Sequence, residues 1–201
     1  SSRKLPLGRR ISRILRSFMA GKPNTRVMIA GRSAKKYVHS TSRYVVSGLV
    51  SNMSDFYRSC DVVVGTGRVA LEAIACGKPV LAVGNGGYIG PVTVKNFNYA
   101  WRSNFGDHQA KRVKWTDRKF KNDLNRMLLL KKSGKIRTFQ VRKLMIHKFS
   151  SRIMIEKIAR LYQQNTAMLS EVNVAAVQTA PEVPLMDTVR EAPFETPLPP
   201  K

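Results

Sequence analysis

Arg68 and Glu72 are the residues of this chain best placed to do chemistry, because of what precedes them. The apolar run Asp61-Val62-Val63-Val64 leads into Gly65-Thr66-Gly67, and Arg68 opens the stretch Val69-Ala70-Leu71-Glu72-Ala73-Ile74-Ala75. A buried strand, a glycine-bearing turn and a helix make a geometry suited to phosphate. Free amides of the first helical turn, the helix dipole and the Arg68 guanidinium all favour an anion there. Glu72 follows Arg68 by four residues, so the two side chains share one helix face. A carboxylate so placed accepts hydrogen bonds from a sugar diol while the turn holds phosphate, and the pattern reads as a nucleotide site.

The elements that must position these residues follow from periodicity. Residues 9–19 carry Ile11, Ile14, Leu15 and Phe18 at helical spacing, and Gly21-Lys22-Pro23-Asn24 ends that helix. Short strands are expected at residues 26–30, 44–46, 61–64 and 78–83. Asn52 or Ser54 can cap a short helix before the third strand, and a helix over residues 69–75 follows it. Residues 88–114, rich in Gly, Asn and aromatics, read as irregular, with at most short helices. Helices are expected over residues 117–130, 138–148 and 150–164. Alternating strands and helices imply an α/β domain, a Rossmann-like parallel sheet with helices on both faces. Ligands in such sheets bind at the carboxyl ends of the strands, where the glycine-bearing loops fall.

Length and composition fit one such domain, residues 1–164, followed by a Pro-rich disordered tail, residues 165–201. Six prolines lie from Pro181 onward, and no internal repeat is evident. Hydrophobic residues make up 43%, enough for a core. No apolar run approaches the ~20 residues of a membrane span. The opening Ser1-Ser2-Arg3-Lys4-Leu5-Pro6 does not read as a secretory signal, and the missing initiator Met fits a processed product or a fragment. Cys60 and Cys76 have no metal-like spacing, which points to a reducing, cytoplasmic compartment. Net charge is +24; the segment from Thr166 on carries −3, leaving +27 on the body. Such a field favours polyanions: anionic lipid headgroups, lipid-linked phosphates or nucleic acid. His39, His108 and His147 share no spacing and receive no catalytic role.

The run from Asp61 to Val80, with its core Glu72-Ala73-Ile74-Ala75-Cys76-Gly77-Lys78-Pro79-Val80, resembles the donor-binding half of retaining glycosyltransferases of the two-domain GT-B fold, family-4 branch. Val27-Met28-Ile29-Ala30-Gly31, Gly48-Leu49-Val50 and Phe149-Ser150 through Tyr162 look like its flanking elements. The resemblance implies a single GT-B half-domain that binds a nucleotide-sugar donor and moves its sugar to a hydroxyl acceptor. It gives Glu72 the ribose hydroxyls, and the Gly67 amides with Arg68 the diphosphate. Val50 would present its main chain to the base, and Gly31 and Arg32 would border the nucleotide. Gly86 and Gly87 would lie near the diphosphate or sugar, with Arg3 as a further basic contact.

No paired carboxylates are spaced to hold a metal, so cations are expected to stabilise the leaving diphosphate, with no metal site and no cofactor beyond the donor. Catalytic residues are not assigned. Val64 stands where many of these enzymes carry a second glutamate, eight positions before Glu72, and the acceptor domain would have to come from elsewhere in the protein or from a partner chain. Peripheral attachment to the cytoplasmic membrane face suits the basic body. Three other readings stay open: a surface Glu72 paired with Arg68 or Lys78, a non-catalytic basic module of the same origin that binds RNA or another polyanion within an assembly, and a related GT-B-like enzyme such as a sugar-nucleotide epimerase.

Overall fold

The computed structural model describes residues 5–31, 40–108 and 115–179. Along the chain run α1 (Leu5–Ala20), β1 (Val27–Ala30), β2 (Tyr44–Gly48), α2 (Met53–Arg58), β3 (Val63–Gly65), α3 (Gly67–Ala75), β4 (Val80–Gly84) and β5 (Gly87–Pro91). Then come α4 (Phe97–Arg102), a 3-10 turn (Asn104–Gly106), α5 (Asp117–Lys132), α6 (Thr138–Phe149) and α7 (Ser151–Thr179). The chain is mixed α/β with open sheets. It divides between Ile153 and Met154 into two compact units, the first holding every described strand.

The strands form two small sheets rather than one. In the first, β1 pairs with β2 in parallel, Val27 opposite Tyr44; in the second, β4 lies between β3, parallel, and β5, antiparallel. The antiparallel β5 corrects the expectation of an all-parallel sheet and of an irregular chain from Tyr88. Its five residues, Gly-Tyr-Ile-Gly-Pro, carry two glycines and a proline, which hide a strand from propensity; Pro91 is tolerated because the strand is at an edge.

Strand β4 is buried throughout and sorts its side chains by period two. Leu81 and Val83 join a core with Ile14, Leu15 and Phe18 of α1 and Phe120, Leu124 and Met127 of α5. Val80 and Ala82 face the other way, into a core with Ala70, Ala73 and Ile74 of α3, Phe97 of α4 and Val141 and Met145 of α6. Helices therefore cover both faces of this sheet.

Local signals explain where the elements stop. The side-chain oxygen of Asn52 accepts the Asp55 amide and caps α2, and Thr116 caps α5 by accepting the Lys119 amide. After α3, Gly77 adopts φ +72°, its amide donates to the Ile74 carbonyl and the Lys78 amide to that of Ala73. That glycine-terminated cap, followed by Pro79, turns the chain straight into β4.

The sequence reading ends the last helix at Gln164, but α7 continues to Thr179. Residues 165–179 contain neither Gly nor Pro and hold three Ala and three Val, so no helix breaker stops the helix there. The Pro-rich stretch lies outside the described residues, as do Arg3 and Arg32. No described helix is long and apolar enough to cross a membrane.

Candidate functional site

The turn from β3 into α3 is built around Thr66 and Gly67. Thr66 is extended, and Gly67 has φ +56°, a conformation that strains side chains with a Cβ. A Cβ on Gly67 would also lie 3.3 Å from the Asn104 side-chain nitrogen. Thr66 occupies the N-cap position of α3 without capping it. Its hydroxyl reaches instead to the carbonyls of Asn104 (3.1 Å) and Phe105 (2.9 Å). The Thr66 side chain thus leaves the first-turn amides of α3 uncapped, and no other side-chain acceptor for them is found among the described residues.

The Asn104–Gly106 turn that Thr66 holds runs through the left-handed region, with φ of 48°, 54° and 90°. For Asn104 and Phe105 this costs about 1–3 kcal/mol each, so the surroundings must enforce it. Phe105 is fully buried, edge-on to Phe97. On the other side, the Gly106 carbonyl accepts the Gly86 amide at 2.9 Å. A Cβ on Gly84 would overlap that same carbonyl, and one on Gly106 would stand 2.6 Å from the Gly87 carbonyl. The Asn104–Gly106 turn is therefore tied to the β3–α3 turn through the Thr66 hydroxyl and to the β4–β5 hairpin through main chain.

One turn into α3, Glu72 is half-buried. Its Oε2 accepts the phenol of Tyr57 at 2.9 Å. Burial first, and then this hydrogen bond and the Glu72 charge, push the Tyr57 phenol well above its ordinary value. Oε1 of Glu72 has no partner among the described residues. Nor is an ion pair from Glu72 to Arg68 or Lys78 found among them. Arg68 is exposed at the start of the helix.

The structure thus gathers Gly67, Gly86 and Gly87 around the Asn104–Gly106 turn and sets Arg68 and Glu72 on the helix that begins there. Gly31 and Val50 follow β1 and β2; the Gly31 amide donates to the Gly48 carbonyl at 2.6 Å, which ties those two loops together. No hydrogen bond among the described residues links this second pair to the Gly67 cluster. Val64 packs against the α1–α5 core, so a glutamate there would meet apolar neighbours.

Periodicity alone assigns Tyr57 to the core and gives no role to Thr66 or Asn104. Asn104 had a visible signal: Asn, with Gly two residues on, in a stretch lacking periodicity marks a turn that enters left-handed space. A hollow of about 700 Å³, lined among others by Gly21, Lys22, Asp61, Lys131 and Lys132, lies elsewhere. Asp61 and Thr25 precede β3 and β1, so this hollow sits at the amino ends of strands whose carboxyl ends carry the candidate site. Among the described residues no group of three or more His, Cys, Asp and Glu is arranged to hold a metal ion.

Compared with models of protein families, with curated proteins and with solved structures, the chain matches none. The chemistry of the site has to be argued from its own residues.

Proposed function

We propose that the first 164 residues are the donor-binding half of a GT-B-type glycosyltransferase, taking a nucleoside diphosphate sugar at the start of α3. One observation carries this reading: Thr66 turns its hydroxyl away from the helix, leaving the first-turn amides uncapped beside exposed Arg68, with half-buried Glu72 one turn on. The amides and the helix dipole suit a diphosphate, and Arg68 adds a full charge to stabilise it as a leaving group. Tyr57 fixes one oxygen of Glu72 and leaves the other to accept from a ribose diol. Gly86 and Gly87 supply a side-chain-free wall on the far side of the Asn104–Gly106 turn. The acceptor would be bound by a further domain or a partner chain, at the cytoplasmic face of a membrane.

Calorimetric titration with UDP, GDP and ADP, at low and moderate salt, tests the reading. One of the three is expected to bind, and Glu72→Ala to weaken it by roughly tenfold, as loss of charge-assisted hydrogen bonds implies. The deoxyribose form of that nucleotide should be far less sensitive to the substitution. Absence of binding by any of the three, or an affinity that Glu72→Ala leaves unchanged, rejects the proposal.

A further inference from the structure

The helical layer on the α1–α5 side of β4 is strongly basic. Helix α1 carries four arginines and no carboxylate; α5 carries six Lys or Arg against Asp117 and Asp123. Both carboxylates are already engaged. Asp117 accepts from Arg10 (2.8 Å) and lies 3.4 Å from Arg13, while Asp123 accepts the Tyr88 hydroxyl (2.7 Å) and pairs with Lys119. The two helices lie side by side, since the Lys121 ammonium donates to the Ser17 hydroxyl at 2.8 Å. Arg9, Arg13 and Arg16 recur at helical spacing on one exposed face of α1, and Arg118 and Arg126 are exposed on α5.

We infer that this α1–α5 face is a docking surface for an anionic phospholipid bilayer, which gives the membrane location proposed above its contact surface and does not rest on nucleotide binding at α3. Charge complementarity selects a polyanion, and the cations that cover the aromatic rings described at this face select lipid over single-stranded nucleic acid. The aromatic rings near this face are already covered by cations: Trp115 by Arg10 at 3.8 Å, Tyr44 by Arg16 at 4.8 Å and Phe18 by Lys22 at 5.3 Å. The exposed rings among the described residues, Tyr99, Phe139 and Tyr162, belong to other helices. A single-strand binder needs free ring faces on which bases stack. A bilayer needs only cations within a Debye length of its surface, together with apolar tips such as Leu129, 60% exposed beside Lys131.

Flotation of the full chain with vesicles tests the proposal, comparing phosphatidylcholine alone with phosphatidylcholine mixed with phosphatidylglycerol. Binding is expected only to the mixed vesicles and should fall with added salt. The variant Arg9→Gln/Arg118→Gln/Arg126→Gln should lose affinity by about fivefold per cation, on the order of a hundredfold in all. The variant Arg102→Gln/Lys143→Gln/Lys148→Gln removes the same charge from α4 and α6 on the other side of the sheet and should retain most of it. Equal losses in the two variants would reduce the effect to net charge and overturn the proposal. So would failure to bind the mixed vesicles, or tighter binding to oligouridylate with the same dependence on Arg9, Arg118 and Arg126.

Discussion

Replacing Thr66 by valine keeps the volume of the side chain and removes only its hydroxyl. That hydroxyl holds two carbonyls, of Asn104 at 3.1 Å and Phe105 at 2.9 Å, in residues that carry left-handed backbone. The hydroxyl has a single proton, shared between the two carbonyls, and its removal leaves the carbonyl of buried Phe105 short of that donor, an expected loss of about 1–3 kcal/mol. Thr66→Ser retains the hydroxyl and loses one methyl from a half-buried position, an expected cost of about 0.5 kcal/mol. Urea unfolding followed by tryptophan fluorescence is a suitable assay. Trp101 stacks edge-on against Phe149 at 4.2 Å and Trp115 lies on Tyr88 at 5.3 Å, so both report on the first unit. With a slope of about 2 kcal/mol per molar urea, Thr66→Val should lower the midpoint by about 0.5–1.5 M. Thr66→Ser should stay near the parent. Equal midpoints for the serine and valine variants would mean that the hydroxyl does not hold the turn, and the account of the uncapped α3 would fall with it.

Two further outcomes follow from the same geometry. Gly84→Ala forces a methyl into the Gly106 carbonyl, main chain that cannot step aside, and should cost about 3 kcal/mol or more in the same assay; a cost below about 1 kcal/mol would contradict the close approach. The phenols of Tyr57 and Tyr88 are both raised, chiefly by burial and then by bonds to Glu72 and Asp123. Each stays protonated in the fold at a pH where an unfolded tyrosine ionises, near 10, so their stabilisation is intact below that value and is lost as pH rises beyond it. The unfolding midpoint should therefore drop between pH about 9 and about 11, and Tyr57→Phe/Tyr88→Phe should flatten that drop; an equally steep drop in the double variant would refute the assignment.

Much of the scaffold was legible because its signals are local. Ile14, Leu15 and Phe18 announced α1, Phe120, Leu124 and Met127 announced α5, and Gly77-Lys78-Pro79 marked the passage from α3 to β4. Strand β5 was not legible, because Gly87 and Gly90 pair with β4 for reasons of backbone contact that no propensity records. The end of α7 was misjudged by reading the distant prolines back into residues with no helix breaker. At the candidate site, Gly67, Arg68 and Glu72 stood out by type and spacing. Tyr57 did not, since its ring is core while its hydroxyl reaches Glu72 from another helix, a duality periodicity cannot separate. Thr66 has no role legible in the sequence; only the fold reveals that its hydroxyl serves a segment nearly forty positions away.

The Gly84–Gly106 contact has a consequence for how this chain can be altered. Because it is made by main-chain atoms, its fit depends on the two glycines and on the Thr66 hydroxyl that holds the turn, and not on the exposed side chains around it. His108, exposed just past the turn, can therefore be randomised without re-registering the loops around Gly67. Tuning of whatever the site recognises is in this way uncoupled from the framework that holds it, and a selection library confined to the rim should return folded proteins at high frequency.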